Sequence, residues 1–388
     1  MNNIDIISNL KKKSRTLKLD VIQTIKEKIL DILRIAKRNV NILIILLPVV
    51  SFIIPLLILY SLYSWSFEQT LMGRTFFLFF LWLVSLETIL SWEKLQKNML
   101  DKLGSARTIS FIIVLLLPTI YVIVANYCGL NAIIEDLAKQ IITLPPTDPW
   151  QAHLAGLAPL STEYLVFAVF FCLIILLAYG INGLMDFSIS TFFLVTIGVL
   201  FTINIIYPFG KFTPLQILVW PTAMLAANVL SLMGYQTSTF LTTDPYYGYT
   251  PRLTALDPKN PLRHASFGIA WPCAGIESLL IYTVIILLFL KKTAIPWKHR
   301  IIYFVVGAVV TYFINVLRVT TIFLIVMDYG FPSPQFQRFH DYYGMLYSIT
   351  WIISYPLIII GSRALWHKIR NWKIGTKDAS KSFKINPK

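Results

Sequence analysis

The chain has 388 residues, 56% of them hydrophobic and only 14% charged, which is far too apolar for a soluble protein of this size. Its net charge of +15 could suggest nucleic acid, but 26 of the 34 Lys and Arg residues fall in four segments, 1–40, 93–109, 291–300 and 363–388. All four can face one side of a bilayer, the positive-inside pattern of a polytopic membrane protein, which argues against a nucleic-acid partner.

Taken in order, residues 1–39 read as a basic cytoplasmic segment. Ile22, Ile25, Ile29, Ile32 and Ile35 recur at helical spacing among Lys26, Lys28, Arg34 and Lys37, so it is either an amphipathic helix on the inner leaflet or a solvated topogenic tail. The first span covers about Val40–Tyr63, with Pro48 and Pro55 as kinks, and the second about Thr75–Trp92. The second contains Glu87, a carboxylate expected near the inner interface. The third span covers about Ser110–Tyr127, and residues 128–161 form an outer loop carrying His153. The fourth and fifth spans, about Glu163–Gly180 and Ser188–Tyr207, are joined by a tight turn.

Pro214–Gly234 is apolar enough to cross, yet a crossing there would place Lys291, Lys292, Lys298, Arg300 and the basic tail outside. The charge rule therefore makes it an amphipathic helix lying on, or dipping into, the outer face. A long Tyr- and Pro-rich outer loop follows over 235–272, then a sixth span over about Cys273–Leu290, a seventh over about Ile301–Met327 and an eighth over about Met345–Gly361. The last fifteen or so residues read as disordered. The expected fold is all-α: about eight transmembrane helices and one further outer-face helix, with both termini cytoplasmic.

The three cysteines, Cys128, Cys172 and Cys273, match no zinc or disulfide spacing, and neither a metal nor a cofactor is expected. Cys172 lies inside a span and reads as packing. Cys273 sits in Trp271-Pro272-Cys273-Ala274-Gly275-Ile276-Glu277, on the seam between the polar loop and the sixth span. Gly275 would let another backbone approach closely, and Glu277, four residues on, would share a helical face with Cys273. The plain reading is a small hydrophobe at a helix start. A free thiol, with a pKa near ~8.5, becomes a good nucleophile only beside a cation.

The chain supplies one at the same depth. Arg318 lies seventeen residues beyond Ile301, a helical rise of about 26 Å, near the outer edge of the hydrocarbon. His340 lies in the loop joining the seventh and eighth spans. These residue types suit acyl transfer: Cys273 as nucleophile, His340 as general acid and base, and Arg318 as stabiliser of thiolate or oxyanion. Asn315, one turn from Arg318, could orient the guanidinium. The plainer alternatives are an Arg318–Glu277 ion pair and an interfacial loop histidine.

The ordered set Cys273-Ala274-Gly275-Ile276, Asn315-x-x-Arg318 and His340 resembles the exosortase/archaeosortase family of membrane cysteine transpeptidases. The resemblance covers about 165–362 and includes the outer helix ahead of the cysteine. Ala274 stands where many members have serine. The resemblance implies a catalytic core over 161–362, following an N-terminal transmembrane part over 40–160 and preceding a basic tail over 363–388. It implies substrates that are secreted proteins with a C-terminal sorting signal, cut at the outer face through a thioester on Cys273. The cut protein would pass to an acceptor, a lipid head group in an archaeal-type member. Two other readings stay open: a thiol protease that only hydrolyses, and a transporter with Glu87, Glu277 and Arg318 along its path.

Overall fold

The computed structural model describes residues 40–69, 72–95, 105–244, 248–293 and 295–382. The proposed amphipathic helix within 1–39 lies outside them. The described chain is chiefly helical and forms two compact units.

The first unit takes the described residues up to Leu62, with Leu81–Val122 and Phe170–Phe187. Its helices are α1 (Val40–Leu62), much of α2 (Thr75–Leu90) and of α3 (Ser105–Tyr127), and the end of the helix that reaches Tyr179. Phe171 meets Phe52 and Phe187 edge-on at 5.9 Å each, and Tyr179 donates its hydroxyl to the Ile45 carbonyl at 3.0 Å. Glu87 is 1% exposed, so protein surrounds it.

The second unit takes Tyr63–Phe80, Ile123–Val169 and everything from Ser188 onward. The expected loop over 128–161 is largely helical. It contains α4 (Leu130–Ile141) and the first two turns and more of α5 (Pro149–Tyr179). The short α6 (Ile181–Asp186), which belongs to the first unit, occupies the tight turn, and α7 (Ser188–Ile206) of the second matches the fifth span. Arg74, just before α2, forms a two-bond ion pair with Glu163 of α5 at 2.9 and 2.7 Å, with both side chains buried.

α8 (Thr213–Leu232) follows. The expected loop after it departs most from the sequence reading, because it is a three-stranded antiparallel sheet. β1 (Gln236–Asp244), β2 (Gly248–Asp257) and β3 (Asn260–Gly268) lie in that order. Gln236 pairs with Leu256 and Thr254 with Ser266. Threonines and alternation favour strands here: Leu253, Ala255 and Ala265 point inward to Val219, Ala223, Ala226 and Leu230 of α8.

A 3₁₀ turn, Trp271–Ala274, leads into α9 (Ile276–Lys292). α10 (Trp297–Tyr329) is the long axis of this unit. Ser333 caps α11 (Pro334–Arg338) by accepting the Phe336 N–H, with Pro334 at a favoured first helical position. A π-helical turn over Phe339–Tyr343 passes into α12 (Gly344–Ser382). The tail expected to be disordered over the last fifteen or so residues is helical as far as Ser382.

Among the described residues, seven helices are long and apolar enough to cross a membrane, α8 among them, and α2 is a shorter apolar helix. Two cores share α10. Its N-terminal half packs with Tyr282 and Ile286 of α9 and Ile352 and Tyr355 of α12. Tyr282 and Tyr355 donate to the Phe304 and Tyr303 carbonyls, each at 2.7 Å. The other half packs Val316, Val319 and Phe323 against α8, the sheet and Trp271.

Candidate functional site

Asn315 and Arg318 stand where the two cores meet, three residues apart on α10 and so on one face. Their hydrogen bonds reach outward to two other segments. Asn315 Nδ2 donates to the Cys273 carbonyl at 3.1 Å, and Arg318 Nη2 donates to the His340 carbonyl at 2.8 Å. One turn of helix thus ties down the backbone of both loops that carry the other sequence-predicted residues.

Two glycines permit these approaches. Gly275 has φ +84° and caps α9. A Cβ there would lie 2.6 Å from Asn315 Cγ, so glycine is needed both for its conformation and for space. The neighbour that comes close is the Asn315 side chain, not a backbone. At the start of α12, a Cβ on Gly344 would lie 2.6 Å from Arg318 Nε, so glycine lets the guanidinium lie against that helix.

Cys273 is exposed, between buried Trp271 and Ala274. The charged side chains that act on its thiol are Arg318 and Glu277. Ring stacking on Phe336, with centroids 5.5 Å apart and planes at 25°, orients the half-buried His340 imidazole.

Three expectations are corrected. Cys273 and Glu277 do not share a helical face, because the positive φ of Gly275 separates the 3₁₀ turn from α9. Asn315 orients the cysteine turn rather than the guanidinium. Glu277 and Arg318 line one small cavity without a direct hydrogen bond or ion pair.

The family model for the transmembrane exosortase matches residues 65–355, well over half of the chain. The chain belongs to the transmembrane exosortase family. That family comprises membrane sorting transpeptidases, cysteine-dependent in general, which act on secreted proteins with C-terminal sorting signals. The match reaches back to residue 65, a hundred residues before the motif-based resemblance begins. No curated protein and no solved structure matches the chain.

Within the matched region, sequence reading passed over Arg74 and Glu163, and also Ser348, which is 3% exposed and lines the cavity with Arg318. Opposite charges at the ends of two spans were the available signal for the first pair. A lone serine in an apolar helix gave no signal.

Proposed function

We propose that Cys273, Arg318 and His340 form the active site of a sorting transpeptidase that works at the outer membrane face. The observation that carries this reading is the pair of contacts from one face of α10, Asn315 to the Cys273 carbonyl and Arg318 to the His340 carbonyl. They hold the nucleophile and the acid–base group to the helix that bears the cation.

In the proposed reaction, His340 takes the thiol proton and Cys273 Sγ bonds to the scissile carbonyl carbon. Arg318 faces the negative charge on the thiolate and then on the carbonyl oxygen. The C–N bond breaks, His340 returns its proton to the leaving amine, and a thioester remains on Cys273. A nucleophile on the acceptor, a lipid head group, then displaces the thiol.

The sheet supports the outer-face placement of α8. Open sheet edges do not occur exposed to hydrocarbon, and the stripe Val219–Leu230 of α8 is packed on that sheet and α10. With α8 outside, the six other long helices together with α2 and α9 crossing would leave both termini cytoplasmic, as the basic segments require.

Co-expression with a substrate tests the reading. Cys273→Ala is expected to fold and to leave the sorting signal uncut. Wild-type processing by that variant would overturn the proposal. Mass spectrometry of the wild-type product separates transfer, which adds the acceptor's mass, from hydrolysis, which leaves a free carboxylate.

A further inference from the structure

Beside the two α10 contacts is a cavity of about 20 Å³ between α9, α10 and α12. Glu277, Arg318 and Ser348 are among its lining residues, over an apolar floor that includes Ile281 and Ile352. Ser348 Oγ and Arg318 Nε are both buried and lack a hydrogen-bond partner among the described residues. Such groups in native proteins are nearly always satisfied, by protein or by ordered water.

We propose that this cavity is a binding site for one ordered water, which bridges Glu277, Ser348 and Arg318. A water needs roughly 10–15 Å³ measured in this way and two to four polar partners, so the space holds one and no more. A lone ion of either sign is disfavoured, because a carboxylate and a guanidinium face the same space. Water can donate to Glu277 and accept from Arg318 Nε, and it can exchange either role with the Ser348 hydroxyl. Glu277 and Arg318 are then coupled through solvent, which accounts for the absence of a direct pair between them.

The consequence concerns Ser348, which becomes a positioning residue. With Nε bonded to the water and Nη2 to the His340 carbonyl, two corners of the guanidinium are fixed and Nη1 remains for the thiolate or oxyanion. Expelling the water leaves Nε unsatisfied in a buried place. The side chain then turns to find a partner, and its charge leaves the thiol. This functional consequence rests on the reading of Cys273 as nucleophile; the water itself does not.

The test uses the full-length protein in detergent or nanodiscs, with Cys128→Ser and Cys172→Ala so that one thiol reports. A structure resolved well enough to show other buried waters is expected to show one peak within hydrogen-bond distance of Ser348 Oγ and the Glu277 carboxylate. Ser348→Val, which fills the cavity, is expected to remove the peak. It should also move the pH profile of Cys273 alkylation by iodoacetamide upward, lowering the rate at pH 7 about tenfold, one unit of pKa. Ser348→Ala, which folds if the larger residue does not, keeps the space and is expected to move the profile less. No peak in the wild type, or an unshifted profile in a folded Ser348→Val, would overturn the proposal. Wild-type processing by Cys273→Ala would instead overturn the catalytic reading and leave the peak standing as evidence for the water.

Discussion

Arg74 and Arg318 are two arginines of the same unit in opposite states. Arg74 is 6% exposed, makes two side-chain hydrogen bonds to one carboxylate, Glu163, and lies 4.3 Å over the Tyr63 ring. Its charge is neutralised by a geometry that bidentate pairing favours. Arg318 is half-buried, bonds one neutral backbone carbonyl, and has an Nε without a partner among the described residues. The protein could saturate a buried guanidinium, since it does so at Arg74. A cation held by a neutral carbonyl, with its nearest carboxylate across a cavity rather than paired to it, is one whose charge remains available to another group, whereas a saturated one holds the fold.

The contrast is broken or sharpened by four sets of substitutions. The largest effect is expected at the saturated pair. Arg74→Met leaves Glu163 as an uncompensated buried charge and should cost about 3–5 kcal/mol of stability. Thermal melting in detergent reads this as loss of folded protein, and Glu163→Leu in the same chain should restore much of it. Next is Arg318→Met, expected to melt close to wild type while processing falls about 10²–10³-fold, the size of a lost transition-state charge partner. Arg318→Lys should fall on the same side, at least about tenfold down, because an ammonium lacks the planar fork. A large fall in melting temperature for Arg318→Met with little change in processing would make the two arginines alike.

Smaller effects are expected where the backbone is held. Gly275→Ala meets both the positive φ and the Asn315 side chain, and should destabilise by about 1–3 kcal/mol, read by melting, with processing reduced. Asn315→Ala removes one hydrogen bond to the Cys273 carbonyl, worth about 0.5–1.5 kcal/mol. Processing should drop about fivefold with little loss of stability. In the same variant, equal processing would mean that the cysteine turn needs no anchor from α10.

The membrane-spanning helices were legible because hydrophobic runs report directly on bilayer thickness, while lysine and arginine placement carries the proposed sidedness. The site was legible in part. Depth along the membrane normal grouped Cys273, Arg318 and His340, and their order matched a family pattern. The roles of Asn315 and Glu277 were not legible, because both depend on Gly275 taking a left-handed conformation that ends the 3₁₀ turn before α9 begins. The sheet was hidden by its tyrosines and prolines, although Thr237, Thr239, Thr250 and Thr254 alternate as strand residues do. The Arg74–Glu163 pair joins residues 89 apart, and no local pattern reports such a distance.

The central claim is that the charge of Arg318 is directed at the Cys273 thiol. The most direct measurement is the rate of iodoacetamide alkylation of Cys273 at pH 7, in a chain carrying Cys128→Ser and Cys172→Ala, with and without Arg318→Gln. A cation near a thiol favours its thiolate, so removing the Arg318 charge should reduce the thiolate fraction and slow alkylation about tenfold, one pKa unit. Equal rates in the two chains, both folded, would contradict the account.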